Sequence, residues 1–310
     1  MRTAALYRPL LALVLLPLLL PALVRAQADP AARSRNQPVE PYPIAGNLYS
    51  VGASDVTSFL ITTPEGHILL DGGFAKTAPM IEANVRKLGF KLEDVKILLS
   101  SHAHFDHAGG LAELQRKTGA RLYAGAADVD LLARGGSGDF AFGDTLRFPA
   151  VHVDHPVHDG ETVRLGGTTL TAHATPGHTR GCTSWSLVVE EGGKRYDVVF
   201  VGSTTINPGV HLAGKPSYPG IAEDYAKSFA TLKALPCDIF LGSHASFYRG
   251  PEKAERRKKG EKPNPFVDPQ GYRDFLAGTE KAYREQLDRE KAAAVNRAAA
   301  KRETAPSGHP

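Results

Sequence analysis

The sequence contains little cysteine and no apolar segment long enough to span a membrane. Its 310 residues include only two cysteines, Cys182 and Cys237, which excludes a disulfide framework and leaves open whether these two pair. A chain of this length can bury a hydrophobic core without such cross-links. The apolar run at residues 10–24 is short of the roughly 20 residues that cross a bilayer, and it is interrupted by two prolines.

The N-terminal segment nevertheless has the features of an export signal. Arg2 and Arg8 lie at its start, and Ala26-Gln27-Ala28 is the small-residue pattern of a cleavage site. We therefore predict that residues 1–28 are a cleaved signal peptide, in preference to a transmembrane anchor, and that the mature protein is periplasmic. No cysteine follows the apolar run, so we expect neither a lipid-linked form nor a stable membrane anchor after cleavage.

The chain also lacks a strong excess of charge. The formal net charge is +4, and the arginines of the predicted signal, with no acidic residue beside them, account for most of it. The basic run at residues 256–259 lies among Glu252, Glu255 and Glu261 and has no aromatic stacking platform, so a solvated helix face is favoured. The composition therefore excludes any strong argument for a nucleic-acid partner.

The rest of the chain is organised as one domain. A Pro- and Ala-rich lead-in at residues 29–43 precedes a domain at residues 44–300, and residues 301–310 are expected to be a disordered tail. The predicted strands are 56–63, 67–70, 95–100, 162–165, 168–173, 183–189, 195–201 and 238–241. The predicted helices are 79–88, 110–117, 221–235 and 272–300. This alternation indicates a layered α/β protein with sheets inside and helices outside.

A dense group of metal-binding residue types follows the predicted strand at 95–100. His102, His104, Asp106 and His107 place three imidazoles and one carboxylate within six residues. Imidazole and carboxylate are common zinc ligands. His102 and His104 are two residues apart and can point the same way from an extended segment, whereas Asp106 and His107 follow a bend and can face a second ion. The spacing therefore indicates metal binding rather than a chance run of exposed histidine.

Two further histidines complete the expected site. His178 follows the predicted strand at 168–173, and His244 follows the one at 238–241. Loops at the carboxyl ends of strands converge on one edge of a layered α/β fold. Six ligands divide into two groups of three, which leaves each ion a position for water, as in catalytic sites, whereas structural zinc sites are closed by four protein ligands.

The pattern H-x-H-x-D-H followed by two distant histidines resembles the metallo-β-lactamase superfamily over roughly residues 44–290. The resemblance implies an αββα sandwich, in which two facing mixed sheets have helices on their outer sides. It also implies two zinc ions per chain. By this resemblance the first zinc is held by His102, His104 and His178, and the second by Asp106, His107 and His244.

One position distinguishes members of this superfamily. Where other members have a bridging aspartate or a cysteine after the strand at 195–201, this chain has Ser203, which resembles subclass B3 of the metallo-β-lactamases. That resemblance implies hydrolysis of the lactam amide of penicillins, cephalosporins and carbapenems, and hence antibiotic resistance. The nucleophile would be a zinc-bound hydroxide oriented by Asp106. Ser203 would contact a zinc-bound water, and Thr205 the substrate carboxylate. Some members link the cysteine matching Cys237 to the C-terminal helix, but this chain has no cysteine there.

Other polar residues receive weaker interpretations. His152, His155 and His158 could form a third metal site, but a solvated loop is favoured because they lie in a polar turn. His173 is either a support for a ligand or an ordinary core histidine. Asp71 is expected to brace the loop that carries the first ligands.

Two alternative functions stay open from the sequence. One is another exported dizinc hydrolase of this fold, such as a lactonase, a thioesterase or a sulfatase. The other is a non-catalytic periplasmic zinc-binding protein, against which the open coordination argues. In the favoured interpretation the partner is a small-molecule β-lactam substrate, and we expect a monomer.

Overall fold

The computed structural model describes residues 36–303, with the side chains described as far as residue 299. The predicted signal peptide and residues 304–310 of the predicted tail lie outside the described residues. Within the described part of the chain, none of the helices combines the length and the apolar character needed to cross a bilayer.

The first sheet has seven strands in the order in which they occur along the chain. Strands β1 to β4 pair antiparallel, and β4 to β7 pair parallel. The strands are β1 (Tyr42–Ala45), β2 (Leu48–Ser50), β3 (Phe59–Thr63), β4 (Gly66–Leu70), β5 (Val95–Leu99), β6 (Arg121–Gly125) and β7 (His155–Val157). Because β5 is central and covered on both faces, its sequence VKILL is almost continuously apolar.

The second sheet has five strands in the order β12-β11-β10-β9-β8. All neighbours pair antiparallel except β11 and β12, which pair parallel. The strands are β8 (Thr162–Leu165), β9 (Thr168–Ala174), β10 (Thr183–Glu191), β11 (Lys194–Val201) and β12 (Ile239–Gly242). The two sheets face each other across the main hydrophobic core, in which Trp185 is fully buried.

Helices lie outside this pair of sheets, as the αββα prediction requires. They are α1 (Ala78–Lys87), α2 (Leu111–Thr118), α3 (Val129–Ala133), α4 (Ile221–Ala234), α5 (Gly250–Lys258) and α6 (Pro269–Glu303). Helices α1 and α2 pack on the first sheet through a second apolar cluster. Helices α4 and α6 contact each other, and α6 also contacts β12 of the second sheet. The fold class predicted from the sequence is confirmed.

Several boundaries predicted from the sequence are wrong. Strand β1 begins inside the predicted lead-in, where Tyr42 pairs with Ser50. The segment that carries His155 is not simply a solvated loop, because β7 pairs with β6 and buries Val157. The helical backbone of α6 continues to Glu303, into the predicted tail. The first predicted hairpin strand begins only at Phe59, since Val56 forms an isolated bridge to His244.

Candidate active site

The predicted ligands converge at the carboxyl ends of strands from both sheets. The loop after β5 carries His102, His104, Asp106 and His107, while His178 follows β9. Potential ligand atoms within 4.8 Å of one another form two groups, His102–His104–His178 and His102–Asp106–His107. His244, after β12, lies beside the second group, with its Nε2 atom 3.8 Å from Asp106 Oδ2. All six predicted ligands are therefore brought to one place.

The loop after β5 is held by close backbone contacts. A Cβ atom at Gly110 would lie 2.2 Å from the carbonyl oxygen of Gly72, so only glycine fits there. Asp71 adopts a left-handed backbone conformation, with φ of 63°. Its carboxylate accepts hydrogen bonds from the Ser101 backbone N–H at 2.7 Å and from Ser101 Oγ at 2.6 Å. The expected bracing role of Asp71 is thus confirmed.

The surroundings of His102 determine which of its ring nitrogens faces the site. Ser101 Oγ donates to Asp71, so it accepts from His102 Nδ1, which lies 3.0 Å away. The His102 Nε2 atom then carries the lone pair. This atom is buried and has no hydrogen-bond partner among the described residues. An unpaired buried nitrogen is costly unless it binds something the structure lacks, and a metal ion fits that need.

For His104 and His178 as well, the neighbour of one ring nitrogen determines which nitrogen faces the site. His178 Nδ1 lies 2.7 Å from the carbonyl oxygen of Thr205, which can only accept, so its Nε2 atom carries the lone pair. His104 Nε2 faces Asp139 Oδ2 at 3.3 Å, which turns Nδ1 into the site. His104 Nδ1 and His178 Nε2 are 3.1 Å apart. Two nitrogens that share a tetrahedral zinc ion are separated by about 3.3 Å, so this pair fits a common ion.

In the second group, an aspartate orients His244 in a similar way. His244 Nδ1 lies 3.1 Å from Asp55 Oδ2, and Asp55 Oδ1 accepts the backbone N–H of Ser246 at 2.9 Å. His244 Nε2 therefore points towards Asp106, whose Oδ2 atom is also 3.4 Å from His107 Nε2. A carboxylate faced by two imidazoles suits a second cation.

The protonation states also suit metal binding. Burial and the neighbouring imidazoles lower the pKa of His102 well below its ordinary value, and burial lowers the pKa of His178 to about 3. Burial would raise the pKa of Asp106, but His107 and the other histidines outweigh that effect and hold it far below the ordinary value. Neutral imidazole and ionised carboxylate are the forms that coordinate metals.

A cleft of about 610 Å³ opens above these residues. Asp106, His107 and His244 lie in its floor, and Phe142, Leu146 and Phe247 give it apolar walls. Thr205, Asn207 and Pro208 form another side. Within the described residues, no lysine or arginine lines this cleft.

Thr205, the predicted substrate contact, and Ser203, the predicted contact of a zinc-bound water, lie in different surroundings. Thr205 lines the cleft, as expected for a residue that contacts a ligand. Ser203 is buried behind it, where its Oγ atom lies 3.1 Å from Thr205 Oγ1 and accepts the Thr205 backbone N–H at 3.3 Å. In this structure Ser203 therefore positions Thr205.

The other histidines singled out from the sequence have contacts of their own. His152, His155 and His158 do not join any possible metal group among the described residues. His155 instead lies against Glu161, and the Tyr123 ring packs against its imidazole at a tilt of 34°. His173 Nε2 and Ser186 Oγ share a hydrogen bond of 2.7 Å, and among the described residues His173 joins neither possible metal group.

Three supporting aspartates were not identified from the sequence: Asp55, Asp128 and Asp139. Asp128 is buried and joins two ligand loops, because its carboxylate accepts from Ala103 N, Thr179 Oγ1 and Gly181 N. Each of these carboxylates is distant in sequence from the residues that it orients, so no spacing rule could find it.

An αββα fold with neutral histidines and an ionised aspartate at an open cleft defines a metal-dependent hydrolase. The metallo-beta-lactamase superfamily matches residues 51–244, and the chain belongs to this superfamily.

Individual relatives fall into two kinds. The native FEZ-1 metallo-β-lactamase of Legionella gormanii is 44% identical, over 83% of this chain and 98% of that chain, with a TM-score of 0.80. BJP-1, a subclass B3 metallo-β-lactamase of Bradyrhizobium japonicum, is 40% identical over 85% and 99%, with a TM-score of 0.79. A hydroxyacylglutathione hydrolase of Serratia proteamaculans is 30% identical, and the match spans 63% of this chain and 64% of that relative. The chain thus spans less than two thirds of this relative.

Proposed function

We propose that this chain is a zinc-dependent β-lactamase of subclass B3, which opens penicillins, cephalosporins and carbapenems and so confers antibiotic resistance. The observation that carries the proposal is the second ligand group, in which Asp106 and His107 lie together and β11 is followed by Ser203 instead of a further ligand. The similarity to FEZ-1 and BJP-1 over nearly their whole lengths supports the same assignment.

The donor set favours zinc, with two ions per chain. Five imidazoles and one carboxylate are borderline ligands that suit zinc better than calcium or magnesium, which prefer oxygen. The first ion would be held by His102, His104 and His178, and the second by Asp106, His107 and His244. When bound, zinc supplies Lewis acidity, which polarises a carbonyl oxygen and makes water more acidic.

The chain's own residues would bind and orient the substrate. Thr205 Oγ1 lines the cleft and can donate to the substrate carboxylate. Asn207 also lines it, and its buried Nδ2 atom has no hydrogen-bond partner among the described residues, so this amide is available to a ligand. Phe142 and Leu146 would pack against the substrate's apolar side chain.

Asp106 would orient the attacking water. Its carboxylate is ionised and buried in the floor of the cleft, where it can accept a proton or a hydrogen bond from water. His107 and His244 flank this carboxylate, with their Nε2 atoms 3.4 Å and 3.8 Å from Asp106 Oδ2. The lactam carbon is attacked by water, the carbon–nitrogen bond breaks, and the ring nitrogen takes up a proton.

A thioesterase activity is the second candidate, because the hydroxyacylglutathione hydrolases are relatives of this chain. Ser203 argues against it, since the bridging aspartate of those enzymes is missing at this place. A lactonase, a sulfatase or a non-catalytic zinc-binding protein are further alternatives.

The decisive experiment measures hydrolysis of nitrocefin by the purified mature protein before and after chelation. We expect activity that a chelator abolishes and zinc restores, with two zinc ions per chain by elemental analysis. His102→Ala should be inactive, whereas His152→Ala, at an exposed histidine away from the cleft, should match the wild type. The proposal fails if nitrocefin, a penicillin and a carbapenem are all stable while a hydroxyacylglutathione thioester or a homoserine lactone is hydrolysed.

A further inference from the structure

The cleft loop, residues 202–220, runs from the end of β11 to the start of α4 and contains no helix or strand. It carries Thr205, Asn207 and Pro208 into the cleft. Few of its backbone groups bond within the loop, so its position depends on neighbouring elements. Two separate anchors hold it, one at Thr205 and the other along helix α6.

The first anchor is at Thr205. The carbonyl oxygen of Thr205 accepts from His178 Nδ1 at 2.7 Å and from Tyr225 Oη of α4 at 2.9 Å. This end of the cleft loop is therefore tied to a metal ligand and to the body of the protein.

The second anchor is provided by one face of α6. Thr279, Tyr283, Gln286 and Glu290 are spaced four, three and four residues apart, which places them on one side of the helix. Each of them donates to or accepts from the cleft loop or the residues beside it. Thr279 Oγ1 bonds Thr204 Oγ1 at 3.0 Å, Gln286 Nε2 donates to the Val210 carbonyl at 2.8 Å, and Tyr283 Oη donates to the Ala222 carbonyl at 2.8 Å.

Glu290 makes the most contacts of this face with the loop backbone. Its Oε2 atom accepts the backbone N–H of Leu212 at 2.6 Å and of Ala213 at 2.8 Å. Its Oε1 atom accepts from Gln286 Nε2 at 2.9 Å, which holds both side chains in place. Hydrogen bonds to an ionised carboxylate are stronger than neutral ones. Beside these polar contacts, Val210, Leu212 and Tyr218 pack with Tyr283 in the third apolar cluster.

We propose that α6 holds the cleft loop in position. Glu290 is then a specificity-determining positioning residue, which acts on substrate through Asn207 and Pro208. Because Asn207 and Pro208 lie between Thr205 and the Glu290 contacts at Leu212 and Ala213, loss of the Glu290 contacts moves them while the Thr205–His178 contact persists. Glu290 therefore sets the width of the cleft without contributing to metal binding. This inference rests on the proposed function only for its kinetic readout.

The test uses Glu290→Ala, Glu290→Gln and a matched control in the full mature protein. Alanine has high helix propensity, so α6 should stay folded. Glu285→Gln is the control, because Glu285 lies on the exposed side of the same helix and pairs only with Lys281 among the described residues. Hydrogen exchange, zinc content and steady-state kinetics with a penicillin, a cephalosporin and a carbapenem are measured for all four proteins.

Glu290→Ala should raise KM by about tenfold, to different extents for the three substrates, with kcat changed less than about twofold. The amides of Leu212 and Ala213 should exchange at least about tenfold faster, and zinc content should be unchanged. Glu290→Gln should be intermediate, because its amide oxygen can still accept from the loop. Glu285→Gln should match the wild type in every measurement.

Two results would overturn the proposal that Glu290 positions the cleft loop. One is unchanged exchange at Leu212 and Ala213 in Glu290→Ala, and the other is a loss of zinc that accounts for the lost activity. Failure of the β-lactamase assignment is distinguishable, because the exchange measurement needs no substrate and the wild-type protein would then hydrolyse none of the three compounds.

Discussion

Asp55 and Asp139 each face the outer nitrogen of one histidine that is predicted to be a metal ligand. Asp139 faces His104 in the first group and also accepts the backbone N–H of Ala141 at 2.5 Å, whereas Asp55 faces His244 in the second group. Such contacts orient the ring and raise its basicity. We expect Asp139→Ala to lower the affinity for the first metal ion and Asp55→Ala to lower the affinity for the second, each by roughly 10- to 100-fold.

The two variants serve as controls for each other. Chelator competition on cobalt-substituted protein would follow both sites, since each site contributes its own absorption. Equal weakening of both ions in either variant would show that the aspartate acts through general loss of structure.

Asp106 and Ser203 should differ sharply in their importance for activity. Asp106→Asn removes the charge of a ligand and the acceptor for the attacking water, so kcat should fall on the order of 10³-fold or more. Ser203→Ala removes hydrogen bonds that position Thr205, at about 1 kcal/mol, so the fall should be about tenfold at most.

The comparison between these variants is made with three classes of β-lactam at saturating zinc. Equal losses in the two variants would place Ser203 next to the reaction and would contradict the subclass B3 assignment. Zinc content measured alongside separates a lost ion from a misplaced water.

At the scale of single residues, the sequence predicted the residues that cluster at the site and one of their supports, Asp71, but not Asp55, Asp128 or Asp139. His102, His104, Asp106 and His107 are close together in the sequence, so residue type and spacing were sufficient to predict that they share one site. Asp128 could not be found in this way, because its role arises only when the loops at Ala103 and Thr179 meet around it.

A buried ion pair links helix α5 to the start of helix α6. Lys253 is almost completely buried, and its Nζ atom lies 2.8 Å from Asp268 Oδ2. Asp268 Oδ1 also accepts the Gly271 N–H at 2.8 Å in the first turn of α6. Asp268→Ala leaves a buried ammonium unpaired and should lower the free energy of unfolding by about 3–5 kcal/mol. Lys253→Met leaves only a half-buried carboxylate and should cost about 1 kcal/mol.

Urea denaturation at several pH values measures both effects. Burial raises the pKa of Asp268, but the Lys253 ammonium and the Gly271 N–H outweigh it and hold the folded pKa below the ordinary value. The stabilisation is therefore complete above about pH 4, the unfolded pKa, and is lost as the pH falls through the lower folded pKa. A larger loss in Lys253→Met than in Asp268→Ala would contradict this account.

Among the helices and strands, the sequence predicted best those with a long, continuous apolar pattern. The sequence of β5 is apolar on both faces and predicted its strand closely, and α4 begins at Ile221, as expected. Strands β1, β2, β6 and β7 were not predicted, and β1, β2 and β7 have only three or four residues, which carry no clear periodicity. Their pairing depends on neighbouring strands, which a local pattern does not contain.

For the whole molecule, we propose export to the periplasm through residues 1–28, followed by action as a monomer. Mass spectrometry of protein recovered from the periplasm should give a mature N-terminus near Asp29, because Ala26-Gln27-Ala28 fits a cleavage site. Protein that retains Met1 and sediments with membranes would contradict this proposal.

The position of the ligands at the junction of the two sheets has a consequence for the lifetime of the protein. His102 follows a strand of the first sheet, whereas His178 and His244 follow strands of the second. A bound ion therefore cross-links the two halves of the domain, and its binding free energy adds to the stability of the folded state. In a metal-poor environment the same chain would open more often at this junction, so starvation for zinc would expose it to proteases. The supply of metal would then control how long each molecule survives as well as how fast it works.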